Sequence, residues 1–95
     1  MLIIRKEAEQ DIKTAFEWYQ EKSQNLGHDF LVEVESKLAV IEKTPGLYEE
    51  IYANVRRALC DRFPYSVYYF NSMNDIVVIG VMHQRRNPAK WQDRV

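Results

Sequence analysis

Cysteine, glycine and histidine are scarce in this 95-residue chain, and their scarcity excludes several kinds of site. Cys60 is the only cysteine, so no disulfide can form within the chain, which is typical of a reducing compartment. The three glycines are scattered, which excludes the glycine-rich loops that cradle phosphate groups. One cysteine and two distant histidines provide no ligand spacing for a metal ion. We therefore expect neither a metal site nor a cofactor.

Long apolar runs are absent as well. The longest aliphatic run, Ile76 to Met82, is far too short to cross a bilayer. The apolar start, Met1 to Ile4, is too short for a signal peptide, and its basic residues follow it rather than precede it. The sequence therefore predicts a cytoplasmic protein with no membrane partner.

The residues that are present suit one small globular domain. The hydrophobic fraction of 46% is sufficient for a packed core, and we predict a single domain over residues 1–95. The net charge of −1 conceals an asymmetry. Residues 1–50 contain 6 basic and 11 acidic side chains (−5), whereas residues 51–95 contain 7 basic and 3 acidic side chains (+4). Such a basic half favours a surface that binds an anion, although scattered solvated charge is the commoner case.

Hydrophobic periodicity predicts two helices in the first half of the chain. Their apolar stripes are Ile12, Ala15, Phe16 and Tyr19 in the first helix, and Phe30, Val34, Leu38 and Ile41 in the second. We expect Gly27 to be the C-cap of the first helix, and Pro45 with Gly46 to end the second. A connection of about three residues between the helices predicts a helical hairpin.

The remaining patterns are typical of strands. Alternating or continuous apolar residues predict strands at residues 2–5, 55–60, 65–70 and 76–82. Pro88 is expected to begin a short helix that runs to Arg94. The predicted fold class is α+β, in the order β-α-α-β-β-β with a short C-terminal helix. The helical hairpin is expected to pack on one face of a mainly antiparallel sheet.

The sheet face that the helices leave open is the predicted place of function. Strand residues alternate between faces, so either Arg56 or Arg57 points toward it. Further candidates for one shared basic surface lie in neighbouring elements: Arg62, Arg85, Arg86, Trp91 and Arg94. Arginine binds phosphate through two parallel hydrogen bonds and aromatic rings stack on bases, so the surface is compatible with RNA. The competing interpretation is that the aromatic residues are core and that Arg56 or Arg57 pairs with the acidic half.

His83 is the histidine with a candidate chemical role. It ends an apolar strand and stands close to Arg85 and Arg86, where an imidazole can act as a general base. The competing interpretation is a hydrogen-bonded histidine that ties the strand end to the last helix.

Three stretches of the sequence resemble the RelE/ParE family of bacterial toxins: residues 26–35, residues 55–69, and residues 81–88 with Trp91 and Arg94 after them. The resemblance covers nearly the whole chain. It implies the toxin of a type II toxin–antitoxin system, with a sheet and helical hairpin as its fold. It also implies a cognate antitoxin that covers the toxin, and contact with operator DNA only through that antitoxin.

The two branches of this family differ in activity, and the branch decides whether this chain is an enzyme. Members similar to RelE cut mRNA on the ribosome, and the matching catalytic residues here would be Arg57, His83 and Arg86. Members similar to ParE inhibit DNA gyrase and are not nucleases. The chain has no tyrosine after Tyr69 and a pI near 6.1, which favours the ParE branch. A third possibility is a degenerate toxin that only binds its antitoxin.

Overall fold

A computed structural model describes residues 1–85 and 89–95 of the chain. The elements follow one another as β1 (Leu2–Ile4), α1 (Lys6–Lys22), α2 (Gln24–Lys43), β2 (Glu49–Tyr52), β3 (Val55–Leu59), β4 (Tyr65–Ser72), β5 (Asp75–His83) and α3 (Ala89–Gln92). The strands of this described part form one sheet in the order β1-β5-β4-β3-β2. β1 is parallel to β5 and the other neighbours are antiparallel, so the predicted α+β class with a mainly antiparallel sheet is confirmed.

α1 and α2 form the predicted hairpin and cover one face of the sheet. Only Ser23 separates the two helices, and the ring of Tyr19 on α1 lies 5.4 Å from that of Phe30 on α2. All four residues of the predicted α2 stripe are buried. The core beneath the hairpin includes, besides that stripe, Ala8, Ala15, Ala58, Phe63, Val67, Tyr69, Val78 and Val81.

β5 is the strand that is covered on both faces, as its continuous aliphatic run predicts. Residues 76–82 are all buried, and the strand lies between β1 and β4. Beyond the core under the helices, a second cluster forms on the opposite face of the sheet. Its buried members are Val55, Tyr68, Val77, Ile79, Met82 and Trp91.

A β-bulge in β5 changes which face its last residues occupy. Tyr68 of β4 pairs with Gly80, whereas its neighbour Tyr69 pairs with Val78, so Ile79 is an extra residue in the ladder. Before the bulge, odd-numbered Val77 packs in the second cluster. After it, odd-numbered Val81 packs under the helices. The bulge therefore also moves His83, two residues further on, to the helical side of the sheet.

The strand β2 is not predicted by local sequence patterns. It has only four residues, and two of them are the glutamates Glu49 and Glu50, which are uncommon in strands. It pairs with β3 through a tight turn at Ala53 and Asn54, whose φ angles of 45° and 63° are left-handed. Neither turn residue is a glycine, so the usual hairpin signal is missing from the sequence.

The expectation that Gly27 caps the first helix is wrong. α1 ends at Lys22, because Ser23 is extended (φ −165°, ψ 134°), and Gly27 lies buried within α2. A Cβ atom at Gly27 would lie 2.9 Å from Cε1 of Phe16 on α1. Glycine at this position therefore permits the close approach of the two helices rather than a turn of the chain.

Replacing Gly27 by alanine tests this explanation. The added methyl group must displace the Phe16 ring, and such overpacking costs about 1–3 kcal/mol. The higher helix propensity of alanine offsets about 1 kcal/mol of it. We expect Gly27→Ala to lower the free energy of unfolding by about 1 kcal/mol, and at most by about 2 kcal/mol, in urea titrations.

Gly46→Ala is the matched control, because a Cβ atom there would meet nothing within 4 Å. Its free energy of unfolding should stay within about 0.5 kcal/mol of the parent value. Equal effects of the two substitutions would contradict the packing explanation.

Candidate functional site

The structure decides which arginine of β3 faces away from the helices. Ala58 belongs to the core beneath the hairpin, whereas Val55 packs on the opposite face of the sheet. Alternation along the strand therefore directs Arg57 to the open face and Arg56 to the helical face. On the neighbouring strand, Arg57 pairs in register with Tyr68. Arg57 is thus the arginine of β3 that a partner could reach on the open face.

The surroundings of Arg57 are partly apolar. Its guanidinium Nη2 lies 3.7 Å from Oε2 of the exposed Glu49, and the Arg57 side chain remains 38% exposed. An ion pair this open contributes little to stability, so both groups can exchange it for another partner. An open groove of about 290 Å³ runs beside the pair, and the exposed Leu47 and Leu59 line it. Arg57 is the strongest candidate for a binding residue.

Arg56 instead serves the structure of the helical side. Its Nη1 donates a 2.6 Å hydrogen bond to the Tyr48 carbonyl oxygen, and its Nη2 lies 3.9 Å from Glu50. The adjacent Tyr69 hydroxyl donates a 2.7 Å hydrogen bond to the Pro45 carbonyl oxygen. Burial raises the pKa of Tyr69, and the charge of Arg56 opposes that rise. These contacts tie the sheet to the connection between α2 and β2.

Trp91 and Arg94 hold the C-terminal segment against the sheet. The Trp91 ring is buried and stacks on Tyr68, with ring centroids 5.3 Å apart and planes 15° apart. Arg94 binds both carboxylate oxygens of Asp11, through Nη1 at 2.5 Å and Nη2 at 3.3 Å. Its Nη1 also donates a 3.0 Å hydrogen bond to the Ile79 carbonyl oxygen. Both residues therefore have structural contacts, and their predicted part in binding a partner stays a prediction.

His83 lies on the helical side, away from Arg57. Its ring packs edge-on against Tyr65 at 5.4 Å, and its Nδ1 accepts a 3.1 Å hydrogen bond from the Arg85 amide. A small cavity of about 110 Å³ separates it from Asp11 and Thr14 of α1. Arg85 itself is exposed. The hydrogen bond favours the interpretation of His83 as a residue that orders the end of β5.

Arg62 lies in the connection between β3 and β4, beside α2. Its guanidinium is 3.5 Å from the Asp29 carboxylate. Its backbone amide, with that of Phe63, donates to the carboxylate of Glu33 at 2.9–3.2 Å. Arg86, the remaining arginine of the predicted site, lies outside the described residues.

The predicted basic surface is therefore not assembled as one patch in the part of the chain that the structure describes. Arg57 faces the open side, while His83 and Arg62 lie toward the helices. The asymmetry of charge along the sequence is largely neutralised, because basic residues of the second half pair with acidic residues of the first. These pairs are Arg56 with Glu50, Arg57 with Glu49, Arg62 with Asp29, and Arg94 with Asp11.

Asp11 is an important structural residue that local sequence patterns do not reveal. Besides binding Arg94, it accepts a 3.0 Å hydrogen bond from the Val81 amide. It is one of many acidic residues on the first helix, and its partner Arg94 is 83 positions away in the sequence. No local pattern distinguishes Asp11 from the solvated carboxylates around it.

Within residues 1–85 and 91–95, no three side chains of histidine, cysteine, aspartate or glutamate are grouped so as to hold a metal ion. No helix in the described part of the chain is both long and apolar enough to cross a bilayer.

Comparison with known proteins identifies the family. The sequence model for the ParE toxin of the type II toxin–antitoxin system parDE matches residues 2–88. The chain belongs to the ParE toxin family. Membership implies a cognate antitoxin, because the family is defined within a toxin–antitoxin system. The predicted resemblance to RelE/ParE toxins is thereby confirmed.

Solved structures agree with this assignment, and ten of their chains match. One of them is described as the chromosomal ParDE toxin–antitoxin system from P. aeruginosa. Its TM-score is 0.66 at 18% sequence identity, with 86% of this chain and 92% of that chain covered. At this identity, the similarity establishes the shared fold alone. No curated protein matches the sequence.

The single cysteine of this ParE-family toxin is expected to be unreactive. Burial, with the nearby Glu33 carboxylate, raises the pKa of the Cys60 thiol from 9.0 to about 12. Native protein at pH 8 should therefore react with iodoacetamide far more slowly than protein unfolded in urea. Alkylation at equal rates in both states would contradict the burial of this thiol.

The raised pKa of the Cys60 thiol also makes the stability of the protein depend on pH in the alkaline range. Between about pH 9 and pH 12, the unfolded chain loses the Cys60 proton while the folded chain keeps it. The contribution of this thiol is therefore constant below about pH 9, and stability falls as the pH rises above that value. Cys60→Ala should remove this part of the alkaline loss in denaturant titrations.

Proposed function

We propose that this protein stops bacterial growth by binding DNA gyrase, without cutting RNA, and that its cognate antitoxin neutralises it. The toxin would act in the cytoplasm, where gyrase and the antitoxin are both present. Operator DNA would be bound only through the antitoxin. The observation that carries the proposal is the separation of Arg57 from His83 in a chain of the ParE toxin family.

Cleavage of mRNA needs a base and a phosphate-binding group that reach the same nucleotide. Arg57 faces the open side of the sheet, whereas the His83 ring packs against Tyr65 on the helical side. A layer of strands therefore stands between the two described candidates for catalysis. Binding of a protein target does not need such a pair, since it requires only a complementary surface.

Charge supports the same conclusion. Tight binding to ribosomal RNA depends on many unpaired cations on one surface. Here Arg56, Arg57, Arg62 and Arg94 all have carboxylate partners within 4 Å. The groove beside Arg57 instead combines charged side chains with the exposed apolar side chains of Leu47 and Leu59; its other lining residues are Lys37, Tyr48, Glu49 and Asp61. Such a mixture is typical of a surface that binds protein.

Induction of the toxin without its antitoxin tests the proposal directly. We expect DNA synthesis to fall before protein synthesis in pulse-labelled cells, with filamentation, and purified toxin to inhibit supercoiling by gyrase. An early fall in protein synthesis with cleaved mRNA would instead establish the ribosomal nuclease. Normal growth with soluble toxin present would indicate a degenerate toxin that only binds its antitoxin.

A substitution on the open face links the activity to the structure. We expect Arg57→Ala to weaken inhibition of supercoiling about tenfold or more, as loss of an interface arginine commonly does. Lys13→Ala is the charge-matched control, because it removes an exposed cation from α1 on the other side of the molecule. Equal inhibition by both variants would exclude the open face as the gyrase-binding surface.

A further inference from the structure

The last residues of the chain cover an apolar surface on the sheet. Trp91 stacks on Tyr68 and meets the exposed Tyr52 edge-on, with ring centroids 5.7 Å apart. Beneath this ring lie the other buried side chains of the second cluster, which are Val55, Val77, Ile79 and Met82. We refer to residues 89–95 as the C-terminal cover, and to the buried side chains under it as the covered face.

Side-chain contacts, not strand pairing, hold the cover in place. Arg94 binds Asp11 of α1 and the Ile79 carbonyl oxygen, and Arg5 donates a 2.6 Å hydrogen bond to the Arg94 carbonyl oxygen. The helix α3 has four residues, and a helix this short has no stability of its own in water. The position of the cover therefore depends on the Arg94 contacts and on the Trp91 stack.

The covered face continues into exposed surface. Tyr52 and Leu59 are each 48% exposed at its border, and Leu59 follows Arg57 on the same side of β3 after one intervening residue. Without the cover, an aromatic and aliphatic patch would be open, with the Arg57 guanidinium beside it. Patches of this composition are typical of protein-binding surfaces.

From these contacts we infer that the C-terminal cover is detachable and competes with a partner protein for the covered face. The partner segment presents an aromatic ring to Tyr68 in the place of Trp91, and a carboxylate to Arg57 in the place of Glu49. Trp91 itself defines the ring that the face accepts. Arg57 indicates that the partner carries a carboxylate, because this carboxylate can replace the exposed Glu49 as the partner of the guanidinium. The inference does not require that the partner be gyrase.

Fluorescence of Trp91 tests whether the cover detaches. Trp18→Phe leaves Trp91 as the only tryptophan of the full chain. In that background, we expect Arg94→Gln to raise acrylamide quenching of Trp91 several-fold, while the circular dichroism and cooperative unfolding of the domain persist. Asp11→Asn should act in the same direction, since its amide oxygen can still accept from Val81 but lacks the charge that binds Arg94.

Arg94→Lys is the matched control, because it keeps a cation opposite Asp11, and it should give intermediate quenching. Trp91 that stays as protected in Arg94→Gln and Asp11→Asn as in the parent would overturn the inference. Loss of helical signal together with Trp91 protection would overturn it too, because the cover would then be an inseparable part of the fold.

A peptide tests whether the covered face accepts an aromatic segment. The probe has the sequence of residues 89–95, which carries Trp91 and, two positions later, the acidic Asp93. The full chain with Trp18→Phe and Trp91→Ala contains no tryptophan, so fluorescence of the peptide reports its binding. We expect the peptide to bind at least fivefold more tightly when Arg94→Gln is added. An attached cover blocks the covered face, so it lowers the fraction of protein that can bind the peptide.

The same peptide with alanine in place of its tryptophan, followed by anisotropy of an attached dye, should bind far more weakly. Arg57→Ala in the chain should weaken binding of the original peptide. Equal affinity with and without Arg94→Gln, or no binding to either chain, would overturn the inference. A toxin that binds the peptide but spares gyrase would contradict the proposed function and leave the covered face as a docking site.

Discussion

β1 ends at Ile4, and beyond this point no strand among the described residues pairs with the backbone amides and carbonyls at that edge of β5. The Arg5 amide still donates to the Val78 carbonyl oxygen. Beyond it, Arg94 donates to the Ile79 carbonyl oxygen, and Asp11 accepts from the Val81 amide. Unpaired backbone groups inside a protein are costly, so the Asp11–Arg94 pair completes the ladder that β1 does not continue. The same pair fixes the start of α1 and the end of the chain on the sheet.

The bulge at Ile79 decides on which face of the sheet His83 lies. It reverses the alternation of β5, so that the Val81 side chain packs under the helices and His83 follows it. A regular strand would have placed His83 on the same face as Arg57. One extra residue in the ladder thus separates the two described candidates for nuclease chemistry. In the proposed function, the open face binds a protein target and needs no such catalytic pair.

Ion pairs between the two halves of the chain explain how a sequence with a basic half has no broad basic surface among its described residues. Arg56 and Arg57 of β3 meet the glutamates of β2, and Arg62 meets Asp29 of α2. The strand β2 accounts for two of these pairs, and it is the element that local sequence patterns do not reveal. Charge counts along the chain therefore predict an anion-binding face that the fold largely neutralises.

The sequence by itself determined the class of fold, the two helices, the longer strands and the family. Each of these depends on periodicity or motif order within short stretches, such as the buried stripe of α2 and the aliphatic run of β5. The tertiary structure alone decided that Arg57 faces outward, that Gly27 joins two helices and that Asp11 binds Arg94. These features depend on register, on one bulged residue and on contacts between distant positions. A shift of one residue reverses every side chain of a strand, and no local pattern fixes it.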